Sequence, residues 1–248
     1  MAGRYYCLGV TLPELWRAKD LSELDDELEI VRALRSPYCT GAFVEAVAGS
    51  AWATSRRRVM VALVRHPRCP RAFAWRALPL LGWHDLLEVL GDPRTPMPVR
   101  QQAQGKLVER LPTLTVGEKV SLARQAPPPV LIHLLGEEDT RVIAALLDNP
   151  KFAQNHCVRL TAETGSSRVL AQILRHHRWG QVASVRKAAL ANPAMPVALA
   201  VAVLVSLSDD ELLSFSNSRE FPARVRNLAQ QALWVRRLRT PGEEQYLH

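Results

Sequence analysis

Seven arginines crowd one short stretch: Arg56-Arg57-Arg58, Arg65, Arg68, Arg71 and Arg76. A guanidinium is a planar fork of donors, suited to bidentate contact with a phosphate or a carboxylate. Residues 51–110 carry eleven bases against four acids, the steepest excess in a chain of net charge +8. Trp52 lies just ahead of the arginine triplet, and Trp179 follows Arg175 and Arg178. An aromatic ring beside arginine suits stacking on nucleobases or docking of an acidic peptide. The plainer alternative for these residues is a solvated arginine face, with indoles packed between helices.

Other chemistries find little support. The chain has no glycine-rich phosphate loop, no nucleophile elbow and no helix with two metal-binding histidines. His66 with Cys69, His84 with Asp85, His156 with Cys157, and His176-His177 each offer two ligands, where zinc takes three or four. The triplets Glu137-Glu138-Asp139 and Asp209-Asp210-Glu211 sit where helices should start, and negative charge is favourable there. The expectation is no catalytic residue, no metal and no cofactor. The binding candidates are Trp52, Arg56, Arg57, Arg58, Arg65, Arg68, Arg71, Arg76, Arg175, Arg178 and Trp179.

The elements that carry these residues are punctuated by proline. Val185–Leu204 reads as a helix, a capping residue, Pro193, two residues, Pro196, and a second helix. The skeleton recurs around His66-Pro67 with Pro70 and around Asp92-Pro93 with Pro96. Looser copies surround Asn149-Pro150 and Ser36-Pro37. The first proline ends a helix, and the second suits the first turn of the next. His66 stands in the helix-ending place of Asp92, Asn149 and Asn192. Two residues after the first proline come Cys39, Cys69, Thr95, Phe152 and Met195, which predicts a side chain packed beneath each turn. Arg58 and Arg65 are expected to share a helix face opposite Val59, Ala62 and Leu63.

Arg58–Leu107 aligns with Ser184–Leu233 at an offset of 126 without a gap, with 16 identities in 50 pairs. That implies a duplicated multi-helix block. Its inner spacings of 20 to 50 residues indicate a solenoid. Trp75 aligns with Val201, so a core or semi-buried place is expected for Trp75. Alanine and leucine dominate over tyrosine and phenylalanine, which favours helix over sheet.

The pattern resembles the leucine-rich-repeat variant and HEAT-like helical repeats of bacteria. The residues that carry the resemblance are Val59–Pro70, Leu86–Pro96, Val142–Pro150 and Val185–Pro196. It implies an all-α chain, an α-solenoid of helical hairpins. Residues 1–50 are expected to form a cap and first repeat, 51–237 the repeats of one solenoid, and 238–248 a tail. Capping boxes are expected at Thr11, Ser22, Thr115 and Ser208. Met1–Val10 has no apolar block with a cleavage signal, and Val197–Leu207 is far short of the roughly 20 residues that cross a bilayer. A cytoplasmic chain follows as the expectation, with no membrane contact and with Val197–Leu207 as a fully buried helix.

Solenoids present extended binding surfaces. The leading expectation is a non-enzymatic scaffold or adaptor that binds a protein with an acidic surface. Nucleic acid is the second partner class. Alkylpurine DNA glycosylases of HEAT-like build are similar in being basic and tryptophan-containing. Their chemistry needs an acid in an aromatic-walled cleft, and no residue here is assigned to that role.

Overall fold

The computed structural model describes residues 27–239. They form fifteen α-helices and two 3₁₀ turns, with no strand among the described residues. The chain is all-α. Within these residues no helix is long and apolar enough to cross a membrane. The expected cap boxes at Thr11 and Ser22, and residues 240–248, lie outside the described residues.

The helices group into two compact units, one up to Leu114 and one from Thr115. The first holds α1 (Glu27–Arg35), α2 (Gly41–Gly49), α3 (Arg57–Arg65), α4 (Arg71–Ala77), α5 (Trp83–Gly91) and α6 (Met97–Arg110). Here α1 packs on α3, α3 on α4 and α5, and α5 on α6. The second holds α7 (Val116–Gln125), α8 (Pro128–Leu134), α9 (Thr140–Leu147), α10 (Gln154–Glu163), α11 (Ser167–Arg175), α12 (Ala183–Ala191), α13 (Val197–Val205), α14 (Asp209–Asn217) and α15 (Ala223–Arg239). There α7 packs on α9, α9 on α11, α10 on α12, and α15 on both α13 and α14. The last helix outruns its expected end at Arg237, so residues 238 and 239 are helical rather than tail.

The proline punctuation works as its chemistry requires. His66, Asp92, Asn149 and Asn192 are buried at the turns that close α3, α5, α9 and α12. Each accepts a hydrogen bond from the backbone N–H two residues on, at Arg68, Arg94, Lys151 and Ala194. A second bond runs from the N–H three residues on to the carbonyl of the same residue, as in Cys69 to His66 and Met195 to Asn192. The side chain at that third place is driven inward, so Cys39, Cys69, Thr95, Phe152 and Met195 are all buried. Pro70, Pro96 and Pro196 stand one position earlier than expected, as N-caps, and their carbonyls accept from Ala74, Arg100 and Ala200.

Two of these residues also tie neighbouring hairpins together. The Asn149 carboxamide donates to the carbonyls of Ala123 and Ala126 at the end of α7. That of Asn192 donates to Thr161, Ala162 and Thr164 at the end of α10. The last carbonyls of a helix lack internal partners, so each asparagine satisfies the end of an earlier helix while shaping its own turn.

The two aligned segments have matching helix boundaries. Adding 126 to Arg57–Arg65 and Trp83–Gly91 gives Ala183–Ala191 and Asp209–Asn217, which are the observed helices. The starts at Arg71 and Met97 map onto Val197 and Ala223 in the same way. The aligned residues Val59 and Val185, Leu86 and Leu212, Val99 and Val225, and Ala103 and Ala229 are all buried.

Two burial expectations fail. Val197–Leu207 is not fully buried. Val197, Val201 and Val205 are 54, 40 and 61% exposed, while Ala200, Val203 and Leu204 face the core. Trp75, the counterpart of Val201, is likewise 42% exposed. The inner side of each helix already fills the space against its neighbours.

Candidate functional site

The arginine block is built on α3, its preceding loop, and α4. Arg56, the N-cap of α3, has no side-chain capping bond. Glu27 of α1 supplies the acceptor instead, taking the Arg58 N–H at 2.9 Å. Arg57 makes a bidentate pair with buried Asp85 of α5, with Nε and Nη2 each 2.8 Å from a carboxylate oxygen. Arg65, half-buried, reaches Glu88 and Asp92. Arg94 grips Asp92 through Nε and Nη2. The Arg94 and Arg65 guanidiniums and the Arg94 N–H together hold the Asp92 carboxyl far below the usual carboxylate range, against the cost of burial.

All four carboxylates of residues 51–110 are thus committed to bases in the same stretch: Asp85, Glu88 and Asp92 as above, and Glu109 to Lys106. Arg68 donates to the Cys39 carbonyl at 3.3 Å. Arg58, Arg71 and Arg76 are exposed, and their guanidiniums meet no carboxylate among the described residues. Arg56 lies over the half-buried Trp52, 4.6 Å from the ring centroid. An open depression runs beside them, lined in part by Arg35, Arg56, Arg57, Arg58, Val61 and Ala62. Ala62 shares the face of Arg58 and Arg65 rather than opposing it, because residues four and three apart on a helix are neighbours.

The second candidate group splits. Trp179 is 3% exposed and cannot offer a free stacking face. Its indole N–H donates to the Leu147 carbonyl at 3.0 Å, its ring meets Phe152 edge-on, and Arg178 covers it at 4.2 Å. In His176-His177-Arg178-Trp179 the indole takes the inward place that Cys69 takes in His66-Pro67-Arg68-Cys69. His177 stands where the proline would be, which hid the match. Arg175 is exposed beside a groove lined by Arg168, Gln172 and His176. Trp52 and Trp179, 127 residues apart, therefore do not occupy comparable surfaces.

Asp139 and Ser208 cap α9 and α14, and Thr115 caps α7. Among the described residues no three His, Cys, Asp or Glu converge as metal ligands would. The thiols of Cys39, Cys69 and Cys157 are buried, and burial pushes Cys69 and Cys157 up to about 12. Sequence reasoning missed Trp75, exposed on α4 one turn from Arg71 and next to Arg76. It also missed Arg35 and Arg94, which join Arg65 around buried His66.

Comparison with protein-family models, characterised proteins and solved structures finds no match for the chain.

Proposed function

We propose that the chain is a non-enzymatic α-solenoid of HEAT-like, leucine-rich-repeat-variant hairpins that binds an acidic protein surface as a scaffold or adaptor. One observation carries this reading. The carboxylates around the arginine block are spent on internal pairs, so a positive excess remains, part of it on exposed Arg58, Arg71 and Arg76. Arginines held unpaired at a surface attract an acidic partner and speed its docking. The recurrent turns, and the asparagines that reach back to the preceding helix ends, support the solenoid part of the proposal.

The test is a triple reversal, Arg58→Glu with Arg71→Glu and Arg76→Glu. Affinity purification with mass spectrometry, with and without nuclease, then compares the variant with the unaltered protein. A protein partner kept after nuclease and lost in the variant, with an unchanged melting curve, supports the reading. A partner equally retained by the variant overturns it.

Nucleic acid is the second reading, favoured by aromatic rings among the arginines: Trp52 under Arg56, and Trp75 between Arg71 and Arg76. Several phosphate contacts would make affinity fall steeply with salt. A flat response from roughly 50 to 200 mM salt rejects it.

A further inference from the structure

We propose that a small cavity in the first unit is an oxyanion site, which receives one carboxylate or phosphoryl group. The cavity holds about 20 Å³ and is lined by Leu34, Arg35, Ala62, Arg65, His66, Pro67 and Arg94. That is room for one water-sized group, such as a single oxygen of a larger anion. Its polar side chains come from three places in the fold: Arg35 ends α1, Arg65 and His66 end α3, and Arg94 lies in the turn after α5.

Each of these polar side chains carries N–H donors. Asp92 and Glu88 hold Arg65 and Arg94 but do not line the cavity, so they fix the guanidiniums without filling it. Arg35 is exposed and meets no carboxylate among the described residues. His66 is buried, and its Nδ1 accepts the Arg68 N–H at 3.1 Å. In the neutral ring the proton therefore sits on Nε2, which makes that nitrogen a donor.

The charge count favours an anion. Arg35, Arg65, Arg68 and Arg94 stand against Asp92 and Glu88, an excess of two positive charges. The C-termini of α1, α3 and α5 subtract about half a charge each. A small positive excess remains, which favours an anion over a cation. The site needs no macromolecular partner, so it stands whether or not the scaffold reading does.

The experiment follows the His66 ring by NMR in the full-length protein. Sodium acetate, sodium phosphate and sodium chloride are each titrated at matched ionic strength. The expected result is a saturable shift with acetate or phosphate, half-saturating at roughly tenfold lower concentration than any chloride effect. Binding should also raise the His66 titration midpoint, because a nearby negative charge favours the imidazolium. Tighter saturation by acetate assigns a carboxylate ligand, and tighter saturation by phosphate a phosphoryl one. Arg35→Ala, at an exposed position, should weaken the affinity by about tenfold and leave the melting curve unchanged. Shifts that merely track ionic strength, or an unaltered affinity in Arg35→Ala, would overturn the proposal. The triple reversal at Arg58, Arg71 and Arg76 should leave the anion titration intact, which separates failure here from failure of the scaffold reading.

Discussion

Thr95 fills an inward place that holds Cys39, Cys69, Phe152 or Met195 at other turns, and its Oγ1 is buried without a hydrogen-bond partner. A desolvated hydroxyl left unpaired costs about 1–3 kcal/mol, so Thr95→Val should stabilise the protein by roughly 1 kcal/mol. Thermal and urea melts of the two proteins check it; a destabilised variant rejects it. His66 raises a different question at the same kind of turn. Burial, then Arg68 and Arg94, push its imidazole below the ordinary histidine range. The native state therefore resists a proton that the unfolded chain accepts. The stability His66 contributes is complete above the unfolded value of about 6.5 and drains away as pH falls from there toward the lowered native value. His66→Asn, the residue used at Asn149 and Asn192, should flatten the stability profile over that window; an equal slope in both proteins refutes the assignment. The turn residues were legible because proline and its neighbour act locally. The carbonyls that Asn149 and Asn192 reach lie 23 to 31 residues away, and no local pattern announces them.

At the scale of the element, the matching helix boundaries of Arg58–Leu107 and Ser184–Leu233 were readable because equal spacing of proline and leucine places helix ends alike. The orientation of α13 was not. Its sequence, Val197 to Val205, is apolar throughout, so no polar stripe marks the outer face. Only the fold shows that Ala200, Val203 and Leu204 meet Leu190, Leu212 and Val225 in one core cluster while Val201 points outward. That difference has a measurable consequence. Leu204→Ala removes fully packed methyl groups and should cost about 2–5 kcal/mol. Val201→Ala should change stability by about 0.5 kcal/mol or less, as surface substitutions do. Equal losses in urea denaturation would mean that the helix is turned the other way. Trp179 illustrates the same limit in reverse. Its position after His176-His177-Arg178 resembles a basic surface motif, yet a turn in which His176 Nδ1 accepts the Arg178 N–H, as His66 Nδ1 accepts that of Arg68, carries the ring inside.

The whole molecule carries net charge +8, and its sign was readable directly from composition. Which charges remain available was not, because pairing depends on helices 23 to 28 residues apart meeting, as with Arg57 and Asp85 or Arg65 and Glu88. The same pairings set the response to acid. Asp92 is held low chiefly by Arg94 and Asp139 to about 2 by Arg141; Ser208 lowers Glu211, and Lys187 lowers Glu220. Each carboxylate is more acidic in the folded chain than in the unfolded one. Their contribution is present above the unfolded range near pH 4 and is lost as pH falls through the native values, so stability should drop from about pH 4 toward pH 2. Protonation also strips the arginines of their counter-charges, and self-repulsion then adds to the loss. Moderate salt screens that repulsion but cannot restore a protonated carboxylate. Urea denaturation from pH 5 to pH 2, with and without added salt, should therefore show a decline that salt relieves only in part. Asp92→Asn should remove a portion of the decline, since the amide has no proton to gain. An acid profile unchanged in that variant would place the buried pairs outside the stability of the fold.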